Sequence, residues 1–179
     1  MLTDDIPRFA LSVRQPWAWA IIHAGKDIEN RTWKPGNPGL RFRGDLAIHA
    51  ARGMTQDEYE DACDSIEHLC GLRVPPAIEL HRGGIIGVAR LTDIVLASTS
   101  RWFAGKHGLV LADAVPVPFV PAAGNLGFYD WRDLPVTEMP APPKWMTGEP
   151  AAARAPKPPK PIIAQEAILE SVGQLSLFD

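Results

Sequence analysis

Cysteine is scarce in this chain: among 179 residues only Cys63 and Cys70 occur. Two thiols cannot make a disulfide framework, and such scarcity fits a reducing compartment. On one helix they would lie two turns apart, about 10 Å along the axis, whereas a zinc ion needs each sulfur within about 2.3 Å. Even with His68 nearby they form no shared site, so no metal and no cofactor is expected. Long apolar runs are also missing. No stretch approaches the ~18 residues that a membrane-spanning helix requires. The acidic N-terminus, Met1 to Asp5, leads into no hydrophobic segment, which argues against a secretory signal and for a cytoplasmic location. A strong charge of one sign is absent too, with 18 Lys and Arg against 21 Asp and Glu and a net charge of −3. The molecule as a whole is therefore no generic polyanion binder. The length suits one domain plus a tail.

The charge that is present is segregated. Residues 14–52 carry seven basic side chains (Arg14, Lys26, Arg31, Lys34, Arg41, Arg43 and Arg52) against three acids, Asp27, Glu29 and Asp45. Residues 54–71 carry six acids and no Lys or Arg. Segments of opposite sign on different faces would give the fold a basic side and an acidic side that the average conceals. Proline is segregated as well, with nine of the 18 between 135 and 161. A stretch so poor in backbone donors and apolar side chains reads as an extended, mostly disordered linker. The expected organisation is a folded body over 1–134, a proline-rich linker over 135–161 and a short apolar segment over 162–179.

Two helices are predicted in the body. One spans about 16–24, with Pro16 in its first turn and Gly25 as its left-handed stop. The other spans about 55–70, opened by the capping-box pattern Thr55-Gln56-Asp57-Glu58. There Tyr59, Ala62, Cys63, Ile66, Leu69 and Cys70 recur at helical spacing, the acids lie mainly opposite, and Gly71 closes the element. Short strands are predicted at 10–13, 27–33, 44–50, 84–97, 108–112 and 126–131. So many short strands with so few helices between them point to an α+β fold built on a closed or half-closed barrel. Gly83-Gly84-Ile85-Ile86-Gly87 precedes a β-branched run and not a helix, so it is no dinucleotide loop.

Chemistry concentrates in three segments: Leu11-Ser12-Val13-Arg14-Gln15-Pro16-Trp17-Ala18-Trp19-Ala20, then Gly25-Lys26-Asp27-Ile28-Glu29-Asn30-Arg31-Thr32-Trp33, then Gly44-Asp45-Leu46-Ala47-Ile48-His49-Ala50. Indole rings among basic groups are what a protein needs to stack on a base while neutralising its phosphates. The competing reading makes the tryptophans core and Lys26, Glu29 and Arg31 a structural ion-pair network. Alternation along a strand would place Asp27, Glu29 and Arg31 on one face.

These three segments, followed in order by Gly84–Asp93, Trp102, His107–Leu111 and Gly124–Trp131, closely resemble the ASCH family. The resemblance runs over about residues 10–134. It implies a PUA-like β-barrel with a few flanking helices, related to domains that bind RNA, and a cleft into which the Gly-x-Lys-x-x-Glu-x-Arg segment points. The candidate site residues for nucleic acid, RNA or DNA, are Arg14, Gln15, Trp17, Lys26, Glu29, Arg31 and Trp33. Some small relatives hydrolyse acetylated cytidine with a lysine, a threonine and a glutamate. Lys26 matches that lysine, but Glu29 stands where the threonine nucleophile would be, and Thr32 lies further on. The attacking group is thus missing, while Lys26 and Glu29 could still act as the acid–base pair of a hydrolase acting on a modified nucleoside or RNA. At the far C-terminus, Gln174-Leu175-Ser176-Leu177-Phe178 resembles the peptide with which bacterial DNA polymerases and repair proteins bind the sliding clamp. Leu177 and Phe178 would supply apolar anchors and Gln174 a polar one, with Leu175 in the same partner-binding peptide. The expectation is a non-secreted bacterial or phage nucleic-acid-binding module, with clamp tethering or hydrolysis as further roles.

Overall fold

The computed structural model describes residues 3–147. The clamp-like peptide and the rest of the expected terminal segment lie outside the described residues. In chain order the elements are β1 (Phe9–Val13), α1 (Trp17–His23), β2 (Ile28–Arg31), β3 (Gly44–Ala50), α2 (Gln56–Cys70), β4 (Gly84–Val95), β5 (His107–Pro121), β6 (Phe128–Asp130) and the single turn α3 (Lys144–Thr147). The strands form one mixed sheet in the order β2-β5-β4-β3-β1-β6, in which β1 and β3 run parallel and every other neighbour antiparallel. The sheet curls, so the architecture is α+β and barrel-like.

Alternation along the strands divides the core. Leu11 and Val13 face inward with Leu46, Ile48, Leu91, Leu109 and the α1 residues Ala18 and Ile21. Ala10, one residue out of phase, faces Ala47, Ile85, Tyr129 and Trp131 on the other side of the same strands. A third cluster joins α1 and α2 through Ala20, Ile28, Ile66 and Trp102. α2 starts at the expected capping box, in which Glu58 N–H donates to Thr55 Oγ1 and Thr55 N–H to Glu58 Oε2, and ends at left-handed Gly71. Its acids Asp57, Asp61, Asp64 and Glu67 are exposed. In α1, Pro16 is the N-cap and Gly25, at φ +64°, turns the chain towards β2.

Two stretches differ from expectation. β5 runs to Pro121 where a strand over 108–112 is expected, because only its first residues lie between two strands. β2 pairs with His107–Val110 alone, so Pro116, Pro118 and Pro121 sit where β5 has β4 on one side only and a missing N–H leaves no ladder bond unmade. The second stretch is 135–147, expected to open the disordered linker. Arg52 Nη1 donates to Glu138 O at 2.9 Å, Met146 is buried with Met54, Ala77 and Leu80, and the Trp145 ring stands 5.9 Å from that of Tyr59. Trp145 and Met146 supply the apolar area that the proline content conceals. Among the described residues no helix is long and apolar enough to cross a membrane.

Candidate nucleic-acid interface

The two ends of the curled sheet meet at a seam. Beyond Leu11, β1 has no strand on its β6 side, and Arg31 at the end of β2 fills that edge: its Nη2 donates to Ser12 O at 2.7 Å. Trp33, just past β2, packs edge-on against Phe128 of β6 with ring centroids 5.4 Å apart. Glu29 lies between the cations. Its Oε2 takes a hydrogen bond from Lys26 Nζ at 2.7 Å and its Oε1 lies 3.3 Å from Arg31 Nη2. Lys26 also donates to Ile28 O and stands 6.0 Å from the centroid of the Trp17 ring, where the π face favours a cation. Lys26 is only 4% exposed, so its charge is held close behind the surface. Arg31, Trp17 and Trp33 are half-buried. Two cations against one carboxylate leave the seam positive, and Arg31 Nε has no hydrogen-bond partner among the described residues.

Of the residues singled out in the sequence, the structure therefore gathers Lys26, Glu29, Arg31 and Trp17, with Trp33 beyond them on the same seam. It sends Arg14 and Gln15 elsewhere. Arg14 ion-pairs with Glu58 at the start of α2. Gln15 is buried as a brace, its Nε2 donating to His81 O at 2.9 Å and its Oε1 accepting from Trp19 N–H. Asp27 does not share the Glu29 face, because β2 begins only at Ile28. It is exposed and accepts from Ser100 Oγ at 2.6 Å, while Asn30 grips the same loop through Trp102 O and Ala104 N–H.

A family model described as the ASCH domain matches residues 11–132, which takes in the whole seam and all but the outermost strand residues. The chain belongs to the ASCH domain family. No curated protein matches it.

Within this ASCH domain, Ser12 also reaches a second place. Its carbonyl lies on the seam, while its hydroxyl is 3.0 Å from His49 Nδ1 and 2.9 Å from Tyr129 Oη. His49 Nε2 is 3.0 Å from Ala122 O, and a carbonyl can only accept, so Nε2 carries the proton and Nδ1 accepts from Ser12. Burial lowers the His49 pKa and keeps the ring neutral, and burial likewise raises that of Tyr129. Gly124 closes over the pair: a Cβ there would lie 2.6 Å from His49 Cε1 and 2.9 Å from Ser12 Oγ. Beside them opens a cavity of about 340 Å³ lined by Ser12, His49, Ala51, Arg52, Asn125 and Leu126. The sequence pattern alone does not bring this relay together. Its one local signal is Ser12 between Leu11 and Val13, a polar residue out of phase with the core. Cys63 shows no activation, since burial pushes its thiol up to about 11, and Cys70 Sγ donates to Ile66 O.

Proposed function

We propose that this protein binds single-stranded nucleic acid, RNA or DNA, by taking one nucleotide against the seam. Arg31 meets phosphate or a base edge, Trp17 or Trp33 offers the stacking face, and Lys26 adds charge from behind while Glu29 holds both cations in place. The observation that carries this reading is the net-positive Lys26–Glu29–Arg31 network flanked by two half-buried indoles, the combination of cation and aromatic platform that strand binding uses. Arg14 and Gln15, engaged elsewhere, fall outside the contact set. Hydrolysis by Lys26 and Glu29 requires one of them free to exchange a proton with water. Here both carboxylate oxygens face cations and the ammonium is hydrogen-bonded, an arrangement suited to positioning.

The test is fluorescence anisotropy of a labelled single strand at several salt concentrations, with the parent and Arg31→Gln. Each lost phosphate contact lowers the slope of log affinity against log salt by about 0.7 for a single strand. An Arg31→Gln variant with unchanged affinity and slope would remove Arg31 from the path of the strand. The tail adds a separate claim from sequence alone: Gln174, Leu175, Leu177 and Phe178 tether the domain to a sliding clamp. Titrating bacterial clamp with the 162–179 peptide tests it. Replacing Leu177 and Phe178 with Ala should cost at least ~2 kcal/mol, and equally negligible binding by both peptides would end the claim.

A further inference from the structure

Two parallel strands, β1 and β3, end side by side, with Arg14 directly after the first and Arg52 two residues after the second. Arg14 is neutralised by Glu58. Arg52 is not: its Nη1 donates to Glu138 O at 2.9 Å, and among the described residues no carboxylate pairs with it. Arg82 lies beneath the same loop, its Nη1 donating to Arg52 O at 2.9 Å. It is 6% exposed and likewise has no acidic partner among the described residues. Burial and the charge of Arg52 both push the Arg82 pKa down. A buried guanidinium beside a second one is costly unless an anion compensates it.

The cavity that Arg52 borders supplies the rest of a site. Asn125 uses its Oδ1 to hold Leu126 N–H at 2.8 Å, which leaves its amide protons as donors. The Ser12 hydroxyl proton is committed to His49 Nδ1, so the Ser12 oxygen at the cavity lining is an acceptor, already taking one hydrogen bond from Tyr129 Oη. Leu126, 91% exposed, adds an apolar face at the rim. A cationic donor in Arg52, the amide of Asn125, an acceptor in Ser12 and the apolar Leu126 around one open pocket match a phosphate joined to a sugar and a flat ring. The volume lies at the small end of the range for small-molecule sites, about 300–1,000 Å³.

We propose that the Arg52 cavity binds a nucleoside monophosphate unit, with Arg52 contacting the phosphate and Arg82 deepening the positive potential beneath it. The unit is either the phosphorylated end of a strand lying on the seam or a free mononucleotide. The proposal rests on the nucleic-acid reading above and adds selectivity for a terminal phosphate. Ser12 links the two places, its carbonyl on the seam and its residue in the cavity lining.

The test uses the full chain and short single strands ending in a 5′-phosphate, a 3′-phosphate or hydroxyls only, with mononucleotides and inorganic phosphate as competitors. A phosphorylated end should bind about ten-fold tighter than a hydroxyl end, the order of one charge-assisted contact. Arg52→Gln, a change at an exposed side chain, should erase that ratio, and Arg31→Gln should weaken both strands while keeping it. Competition by mononucleotide but not by inorganic phosphate, lost in Arg52→Gln, would support the cavity as a site for the whole unit. Strands that bind with no gain from either phosphate, or a gain that survives Arg52→Gln, would overturn the assignment and leave the seam reading standing. No binding of any strand would overturn both.

Discussion

Lys26 is the most confined charge in the seam, and among the described residues its one carboxylate partner is Glu29. Glu29→Gln would leave Lys26 buried beside Arg31 with no counter-charge. Breaking a buried pair from one side costs about 3 kcal/mol or more, so urea denaturation should show a loss of that order. Adding Lys26→Met removes the stranded charge and should recover part of it; no loss in the single variant would mean that the seam is wetter than the geometry indicates. His49 gives a prediction in pH. Its folded-state pKa lies below the unfolded value of about 6.5 because burial of the ring outweighs the hydrogen bond to Ala122 O, which alone would raise it. Below that value the unfolded chain takes up a proton that the native ring does not, so stability falls as pH drops through this range and is flat above it. Between pH 7.5 and 5.5, His49→Gln should lose less stability than the parent, with His23, also lowered by burial, contributing equally to both; identical losses would show that His49 is not the titrating group. Lys26, Glu29 and Arg31 are legible in the sequence because they lie within six residues of one another. Ser12, His49 and Tyr129 are not, since 37 and 117 positions separate the partners of Ser12, and only strand pairing unites them.

Among the elements, those with strong local codes are legible at their ends. The Thr55–Glu58 box and Gly71 bound α2, and Gly25 closes the turn after α1. The extent of β5 has no such code, because prolines are tolerated there only by virtue of which neighbour strand stops early. The glycine of β4 at position 87 marks a close approach: a Cβ would collide with Ile22 Cδ1 of α1 and lie 2.7 Å from Val115 O. Gly87→Ala should therefore push α1 off the sheet and cost about 1–3 kcal/mol, as overpacking does, read as a lowered denaturation midpoint. An unchanged midpoint would mean that the helix can shift freely. α3 gives the matching test at the other end of the chain. A chain cut after residue 134 loses Met146 and Trp145 from the cluster with Met54, Leu80 and Tyr59. It should be less stable than one cut after 147 by about 2 kcal/mol, the worth of one buried large side chain. Equal stability would return 135–147 to the role of a linker.

Over the whole molecule, the net charge of −3 describes neither side. The acids of α2 face solvent, while the cations of 26–31 gather where the sheet closes on itself. The barrel-like closure and the cation cluster are one feature, since the side chain that bridges the sheet ends, Arg31, also carries the less buried of its two positive charges. The alternating strands and the acidic helix were readable from pattern; the seam was not, because it joins the first sheet edge to the last. Six tryptophans distributed over the fold permit one direct measurement of where a strand lies. In a heteronuclear NMR titration with a short single-stranded oligonucleotide, assigned by Trp→Phe variants, the indole N–H signals of Trp17 and Trp33 should shift. Those of Trp131, buried in a cluster that neither of them joins, and of Trp145 beside Tyr59 should stay in place. Saturable binding that leaves Trp17 and Trp33 unmoved, or that moves Trp145 instead, would contradict the assignment of the seam as the nucleic-acid site.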